Sequence, residues 1–417
     1  MIAQDFRFET RKNQIIDPDY AQNENNILSQ LDHPNIINYM KGVIHKKYSY
    51  ILLENWGIDL GEYLVKHSSL SSSQNTLNSG ITEEPLENEI NENILREVAW
   101  QVLKALNYLH SHYIVHKDIK PENILITEGK QFGIKLIDFG ITVNINGYNE
   151  EDIFLTGTNS YIAPELFVDP TKLTTKVDSW ALGVTLFKMV TGIEPFVEPN
   201  SIKLTLQIIN SEPDFSSEKW NKISLQGKEF IRKLLSKKIS ERPSAEEALK
   251  DNWFSELING QILMNENILQ KLGKFLKMEE YQRRIFCLLA RLSKSSEIES
   301  IINDFNILDV DHDGELKLFE LKGLCKSEED LEKCLGSSAF SPSLCIKFSE
   351  FTAALLPKSV LAKCFKIKIL YELLKVIPKE FQAEASTNIM DPNSPDSTIS
   401  SVEADIIAFE RSFLSLD

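Results

Sequence analysis

No glycine precedes Gly42, although the chain of 417 residues contains 17 glycines. Loops that wrap nucleotide phosphates depend on glycine, because only a backbone without side chains approaches the phosphate oxygens closely. The segment before Gly42 therefore carries no glycine-rich phosphate loop.

Paired or clustered cysteines are also missing. The chain has five cysteines, at Cys287, Cys325, Cys334, Cys345 and Cys364. Their odd number and the lack of any C-x-x-C spacing argue against a disulfide framework and against a zinc site. We expect reduced thiols in a cytosolic protein.

The chain has neither an excess of basic charge nor a long apolar run. Its net charge of −16 argues against nucleic acid as a main partner, because phosphate binding needs a basic face. No run is apolar enough to span a bilayer and no secretory signal is evident, so we expect a cytoplasmic protein without a transmembrane segment. The acidity either serves solubility alone or provides carboxylates for hard cations.

Composition and periodicity divide the chain. Residues 66–91 are rich in Ser, Asn and Glu and poor in large apolar groups, which predicts a flexible insertion. Helical periodicity predicts a helix over Glu92–Ser111, and an apolar stretch predicts a buried helix over Asp178–Val190. Residues 255–296 carry basic residues between two apolar helical stripes, which is typical either of a helix that docks into a calmodulin-like groove or of an ordinary surface helix.

The stretch "IVHKDIKPENILI", residues 114–126, resembles the catalytic loop of protein kinases, with Lys117 in place of the usual arginine. The resemblance makes Asp118 the residue that orients the substrate hydroxyl and accepts its proton. Lys120 would lie near the transferring phosphate, and Asn123 would bind a metal ion. In "IDFG", Asp138 is the expected Mg²⁺ ligand.

Two further motifs follow in the order that the kinase family uses. "APE" ends at Glu165, which in the family pairs with an arginine that Arg242 matches. "DSWALG" places Asp178 where the family has a buried carboxylate that holds the catalytic loop. The resemblance covers roughly residues 20–254 and implies an α+β, two-lobed kinase fold within residues 1–254, with an incomplete N-lobe and a helical C-lobe.

The N-lobe departs from the family pattern. "ENNILSQLDHPNII" resembles the end of helix αC and makes Glu24 its glutamate, while "YILLENWG" resembles the hinge, where Glu54 to Trp56 would present backbone groups to adenine. The strand that should supply the lysine partner of Glu24 aligns with "IAQDF" and places Asp5 there. Either an N-terminal segment is missing from this sequence, which we favour because Asp118, Asn123 and Asp138 are retained, or the protein is a calcium-binding pseudokinase scaffold.

Residues 309–320, "DVDHDGELKLFE", fit the EF-hand loop pattern. The pattern assigns calcium ligands to Asp309, Asp311, Asp313, the backbone carbonyl of Glu315, and Glu320. Gly314 would make the sharp turn, and Leu316 would pair with a second loop.

The partner loop is expected in "AFSPSLCIKFSEF", with Ile346 at position eight and Glu350 at position twelve. Ala339 at its first position and Leu344 in place of the glycine predict a hand that folds without calcium. Two later segments resemble one lost and one degenerate hand. Residues 297–417 are thus expected to form an all-α EF-hand domain with one intact loop.

A kinase domain, a basic junction and EF-hands in this order resemble the calcium-dependent protein kinases. The resemblance implies a serine/threonine protein kinase that uses ATP and Mg²⁺, is regulated by Ca²⁺ and acts on protein substrates. It also implies that the junction, residues 255–296, is an autoinhibitory segment that contacts the EF-hands within the same chain.

Overall fold

The computed structural model describes most of the chain. The described residues are 6–10, 18–45, 48–69, 91–127, 132–146, 157–255, 257, 266–293, 295–325, 327–336, 344–357 and 360.

The N-terminal part is a small antiparallel sheet with one helix. Its three strands lie in the order β1-β3-β2, and Phe6 of β1 is opposite Glu54 of β3. The turn after helix α1 is fixed to the rest of the domain, because Ile37 donates a backbone hydrogen bond to Leu136 at 3.1 Å. The elements are β1 (Phe6–Thr10), α1 (Pro18–Leu28), β2 (Tyr39–His45) and β3 (Tyr48–Glu54).

The following part is mainly helical. Helix α3 begins at an Asn91 N-cap, whose side chain accepts the Ile94 N–H at 2.9 Å, and its apolar face is buried in the core. Helix α5 is buried on nearly all sides and ends at Gly192, whose φ of +80° is readily adopted only by glycine. The helices are α2 (Leu60–Ser69), α3 (Glu92–Ser111), α4 (Pro164–Val168), α5 (Lys176–Thr191), α6 (Ser201–Asn210), α7 (Leu225–Leu234) and α8 (Ala245–Leu249).

Short strands frame the segment that carries the kinase-like motifs. Strand β6 lies between β4 and β7 in one sheet, and β5 pairs with β8 in another. The strands are β4 (Ile58–Asp59), β5 (Ile114–Val115), β6 (Ile124–Thr127), β7 (Gly133–Leu136) and β8 (Val143–Asn144). The pairs β5–β8 and β6–β7 fix both ends of the segment around residues 116–123.

The remaining described residues form a second apolar core. Helices α9 and α10 pack against α13 and α14, so the basic segment contributes its apolar residues to this core. Strands β9 and β10 pair antiparallel, with Leu316 opposite Ile346. The elements are α9 (Glu266–Leu276), α10 (Glu280–Leu292), α11 (Ser295–Leu308), β9 (Glu315–Lys317), α12 (Leu318–Leu321), α13 (Glu328–Leu335), β10 (Cys345–Lys347) and α14 (Phe348–Leu355).

Several local predictions are confirmed and others need correction. Helix α3 has the predicted bounds, and the predicted pairing of Leu316 with Ile346 is present. Helix α2 extends to Ser69, so residues 66–69 are helical and the predicted insertion begins no earlier than residue 70. Asp5, residues 70–90 and the two predicted later hands, apart from residues 355–357 and 360, lie outside the described residues.

Within the described part of the chain, no helix combines the length and the apolar character needed to cross a membrane.

A fully buried ion pair closes the kinase-like part. Arg242 donates to both carboxylate oxygens of Glu165, at 2.7 and 2.9 Å, and to the backbone oxygen of Ser236 at 3.1 Å. The pairing predicted from the two motifs is therefore confirmed. Because the guanidinium is planar and forked, it satisfies the carboxylate and the carbonyl together.

Replacing Arg242 with methionine is expected to destabilise the fold strongly. The change leaves the Glu165 carboxylate buried without its cation, which costs about 3–5 kcal/mol of unfolding free energy. Urea unfolding followed by circular dichroism measures the loss. Lys238→Met is the control, because its ion pair with Glu241 is exposed, and equal midpoints for the two variants would contradict this assignment.

Candidate functional site

A buried carboxylate holds the backbone of the catalytic-loop motif. Asp178 at the start of α5 accepts the backbone N–H groups of His116 at 2.9 Å and of Lys117 at 2.8 Å. The ring of His110 on α3 lies 2.9 Å from the same carboxylate. Burial alone would raise the pKa of Asp178, but these hydrogen bonds hold it below its ordinary value. The role predicted for Asp178 is therefore confirmed.

The predicted catalytic residues Asp118, Lys120 and Asn123 meet in one cluster. The Lys120 ammonium lies 2.6 Å from Oδ2 of Asp118, and the Asn123 amide donates to the same oxygen at 2.8 Å. A second bond from the Asn123 amide reaches the backbone oxygen of Asp118 at 2.9 Å. Asp118 is thus fixed in one orientation with a cation beside it.

Thr158 completes the cluster from a distant part of the chain. Its hydroxyl donates to Oδ1 of Asp118 at 3.3 Å and accepts from Lys120 at 2.9 Å. The motif comparison had assigned no such contact to Thr158. A hydroxyl in the segment before "APE" could have been considered as a partner, but its contact with Asp118 depends on the tertiary fold.

Asp138 lies in the turn after β7 with a φ of +64°. This left-handed conformation is uncommon for a residue with a side chain and is enriched at functional sites. Oδ1 of Asp138 accepts the Gly140 N–H at 3.3 Å, and the following Phe139 is fully buried beside the His116 ring, at 4.8 Å between centroids. The turn is therefore anchored next to the catalytic loop.

The residues predicted to lie near the nucleotide, Glu24, Glu54 and Trp56, have different surroundings in the structure. Glu24 is buried on α1. The Glu54 side chain accepts the Asn38 N–H at 2.8 Å and pairs with Lys135 at 2.7 Å, while the Trp56 ring lies over Gly133 and 5.7 Å from the Lys135 ammonium. Both side chains therefore have partners within the protein, and the predicted contact with adenine concerns only the backbone of these residues.

The acidic loop brings three of its predicted calcium ligands together. One carboxylate oxygen from each of Asp309, Asp311 and Asp313 lies within 4.8 Å of the others. The Asp309 carboxylate accepts the N–H groups of Asp313 and Gly314, each at 3.1 Å. Gly314 has a φ of +80°, which permits the sharp turn that the pattern requires.

Glu320 closes the loop from α12. Its carboxylate accepts the backbone N–H groups of Val310 and Lys317, each at 2.8 Å. Burial and neighbouring carboxylates raise the pKa of Asp309 to about 8 and that of Glu320 to about 7. Crowded, buried carboxylates favour a divalent cation bound by oxygen, so this donor set fits Ca²⁺.

Glu315, the other predicted ligand, directs its side chain away from this set. Its carboxylate lies 3.8 Å from Nε2 of His112 and 2.8 Å from the thiol of Cys345. The interaction with His112 lowers the pKa of Glu315 to about 2, although burial acts in the opposite direction. The assignment of its backbone carbonyl to calcium stays a prediction.

The acidic loop also contacts helix α3 directly, which the sequence did not predict. Asn107 donates to the backbone oxygens of Asp311 at 3.1 Å and of His312 at 2.9 Å. The His312 ring meets the edge of Trp100, with centroids 4.9 Å apart. A Cβ at Gly314 would lie 2.7 Å from His33 and from Tyr108, so the loop and the kinase-like part are in close contact.

A second contact lies at the turn after α1. Oδ2 of Asp32 accepts the N–H of Ser349 at 3.2 Å and its hydroxyl at 2.5 Å. The Arg291 guanidinium lies 3.8 Å from the same oxygen. The N-terminus of α14 and helix α10 are therefore anchored on the turn that follows Glu24.

Comparison with known proteins agrees with this geometry. Residues 7–254 match the family described as protein kinase domain. The chain belongs to the protein kinase family. The cluster around Asp118 and the Arg242–Glu165 pair both lie within the matched residues.

The resemblance to calcium-dependent protein kinases is also confirmed. The chain is 26% identical over 374 residues to calcium-dependent protein kinase 3 of Plasmodium berghei (strain Anka), covering 87% of this chain and 63% of that protein. It is 29% identical over 349 residues to calcium-dependent protein kinase 5 of the same organism, covering 80% of this chain and 58% of that protein. It is 38% identical over 168 residues to serine/threonine-protein kinase 17A of Oryctolagus cuniculus, covering 40% of this chain and 42% of that protein. The chain thus spans less than two thirds of the length of these relatives.

Removing the Asn107 amide is expected to loosen the acidic loop from α3. Asn107→Ala leaves two backbone oxygens without their donor, at a cost of about 1–3 kcal/mol. Hydrogen exchange of residues 309–320 should accelerate roughly tenfold. Asn93→Ala is the control on the same helix, because Asn93 is exposed. Unchanged exchange in Asn107→Ala would contradict the contact.

Proposed function

We propose that this chain is a calcium-regulated serine/threonine protein kinase that transfers the γ-phosphoryl group of ATP to protein hydroxyls. The observation that supports this most directly is the cluster in which Asp118 is oriented by Lys120, Asn123 and Thr158. The acceptor hydroxyl attacks the γ-phosphorus, the bond to the β,γ-bridging oxygen breaks, and ADP leaves. Asp118 accepts the hydroxyl proton, and Lys120 offsets the charge on the transferring group.

Mg²⁺ is proposed to bind at Asn123 and Asp138, where it would neutralise the phosphate oxygens. The residues present fit this assignment. The Asn123 amide nitrogen donates to Asp118, so the amide oxygen of Asn123 is the atom that would bind the metal ion. Asp138 stands on a turn anchored by Phe139 and Gly140. The role of Glu54 to Trp56 at the adenine base, and of Glu24 at the phosphate end, remains part of the proposal.

Asp118→Asn should lower phosphorylation of a serine or threonine peptide by about a hundredfold or more, because the oriented proton acceptor is lost. Transfer of labelled γ-phosphate at saturating Mg²⁺ and ATP measures the change. Asp169→Asn is the control, since Asp169 lies on an exposed turn with Thr171. Absence of transfer in the unmodified protein would favour the pseudokinase scaffold, and equal rates in the two variants would contradict the role of Asp118.

Calcium binding is proposed at the loop Asp309–Glu320. The second hand keeps Glu350 at position twelve, but its first position is Ala339 and Leu344 replaces the glycine. Its helix α14 nevertheless begins as α12 does, because Glu350 accepts the N–H of Lys347 at 3.1 Å. We therefore propose one calcium ion per chain in the described pair of hands.

Glu320→Gln should abolish most calcium affinity, because the pattern makes Glu320 the bidentate ligand. Glu350→Gln is a closely matched control. Both glutamates accept the N–H three residues earlier, so both variants lose a similar helix contact. Isothermal titration calorimetry of the full chain should give one site in the unmodified protein and in Glu350→Gln. Retained affinity in Glu320→Gln would exclude this loop as the calcium site.

Regulation is proposed to act through the contacts between the hands and the kinase domain. The loop is held by Asn107, and the second hand is held by Asp32. The segment 255–296 contributes apolar residues of α9 and α10 to the core of the hands. A change of loop conformation on calcium binding would therefore change the contacts that the hands make with α3 and with the turn after α1.

A further inference from the structure

Lys317 occupies an unusual place in the acidic loop. It is the ninth of the twelve loop residues and the last residue of β9. Its ammonium lies 2.7 Å from Oδ2 of Asp311 and also pairs with Oδ2 of Asp313. These carboxylates stand at loop positions three and five, where the EF-hand pattern places calcium ligands.

The ammonium and a calcium ion require the same oxygen atoms. The loop carries five acidic side chains, and Lys317 is its only lysine or arginine. Calcium binds carboxylate oxygens at about 2.3–2.6 Å, so an ammonium on the same two carboxylates would stand beside a divalent cation and be repelled by it. Both cations cannot occupy their best positions together.

Lys317 is able to leave these oxygens. Its side chain is 38% exposed, and lysine carries its charge on a flexible stem. Glu320 accepts a hydrogen bond from the backbone N–H of Lys317, and this bond does not depend on where the Lys317 side chain lies. The lysine therefore acts as a displaceable competitor and leaves the turn of the loop in place.

We propose that Lys317 is a built-in competing cation that weakens calcium binding at this loop and is displaced into solvent when calcium binds. This inference rests on the proposed calcium site. It makes Lys317 the residue that sets the calcium concentration at which the loop fills. An ordinary surface ion pair with Asp313 alone would predict little effect, but contact with two ligand carboxylates predicts direct competition.

Lys317→Gln tests the proposal in the full chain by calorimetric titration with CaCl₂. The variant should bind calcium about tenfold more tightly, while Lys317→Arg, which keeps the charge, should stay within threefold of the unmodified protein. Lys322→Gln is the control, because Lys322 pairs with Glu328 at 2.7 Å and touches no predicted ligand. An affinity for Lys317→Gln within twofold of the unmodified protein, or weaker, would overturn the proposal.

A measurement on the unmodified chain does not depend on the folding of any variant. Labelling with an amine-acylating reagent, read by mass spectrometry, should modify Lys317 several times faster with calcium than with a chelator. Lys322 should react at one rate in both conditions. If calcium binds and the rate at Lys317 is unchanged, Lys317 is not displaced and the proposal fails. If calorimetry shows no calcium binding to any form, the proposed calcium site itself fails.

Discussion

The buried carboxylate of Asp178 is the constraint on which the catalytic loop depends. It accepts the N–H groups of His116 and Lys117, and Lys117 has a φ of +69°. A residue with a side chain holds such a conformation only where its surroundings impose it, at a cost of about 1–3 kcal/mol. The hydrogen bond from Lys117 to Asp178 offsets that cost. The position of Asp118, the next residue, therefore depends on a carboxylate on helix α5.

Helix α3 connects this constraint to the acidic loop. His110 contacts Asp178, and Asn107, one turn earlier, contacts the acidic loop. Residues three apart on a helix are neighbours, so the catalytic loop and the acidic loop are held by the same turn of α3. Helix α3 therefore contacts the catalytic loop's anchor and the acidic loop directly.

How well the sequence predicts each contact depends on how far apart its two residues are in the chain. The cluster of Asp118, Lys120 and Asn123 lies within six residues, so a motif was sufficient to bring it together. The pairing of Leu316 with Ile346 follows from loop positions in two hands. The contacts of Asn107 join residues 204 and 205 positions apart, and those of Asp32 with Ser349 span 317. No local pattern marks such a pair, because an asparagine on a helix face is ordinarily solvated.

Lys317 was missed for another reason. Its position in the loop was evident, but the EF-hand pattern specifies which oxygens bind calcium and says nothing about a cation at position nine. Whether a lysine there extends into solvent or folds back depends on where its stem leaves β9. The structure decides this by placing the ammonium on Asp311 and Asp313.

Docking of the acidic loop and calcium binding use different atoms. Asn107 binds the backbone oxygens of loop positions three and four, whereas the pattern assigns calcium to side chains and to the carbonyl at position seven. Docking of the loop and calcium binding are therefore sterically compatible. Any coupling between them must come from charge or from loop conformation.

Two groups at the contact between the acidic loop and α3, His312 and Lys104, decide whether charge favours or opposes this coupling. Burial lowers the pKa of His312 to about 4, so this ring is neutral near pH 7. Burial also lowers the pKa of Lys104 to about 8, which leaves it mostly charged there, and Lys104 and Asp309 each shift the pKa of the other. A buried ammonium near Asp309 opposes a divalent cation in the loop. At the proposed calcium site, docking would by linkage weaken calcium binding by the same factor by which calcium would weaken docking, so the proposed regulation predicts that calcium favours release of the loop from α3.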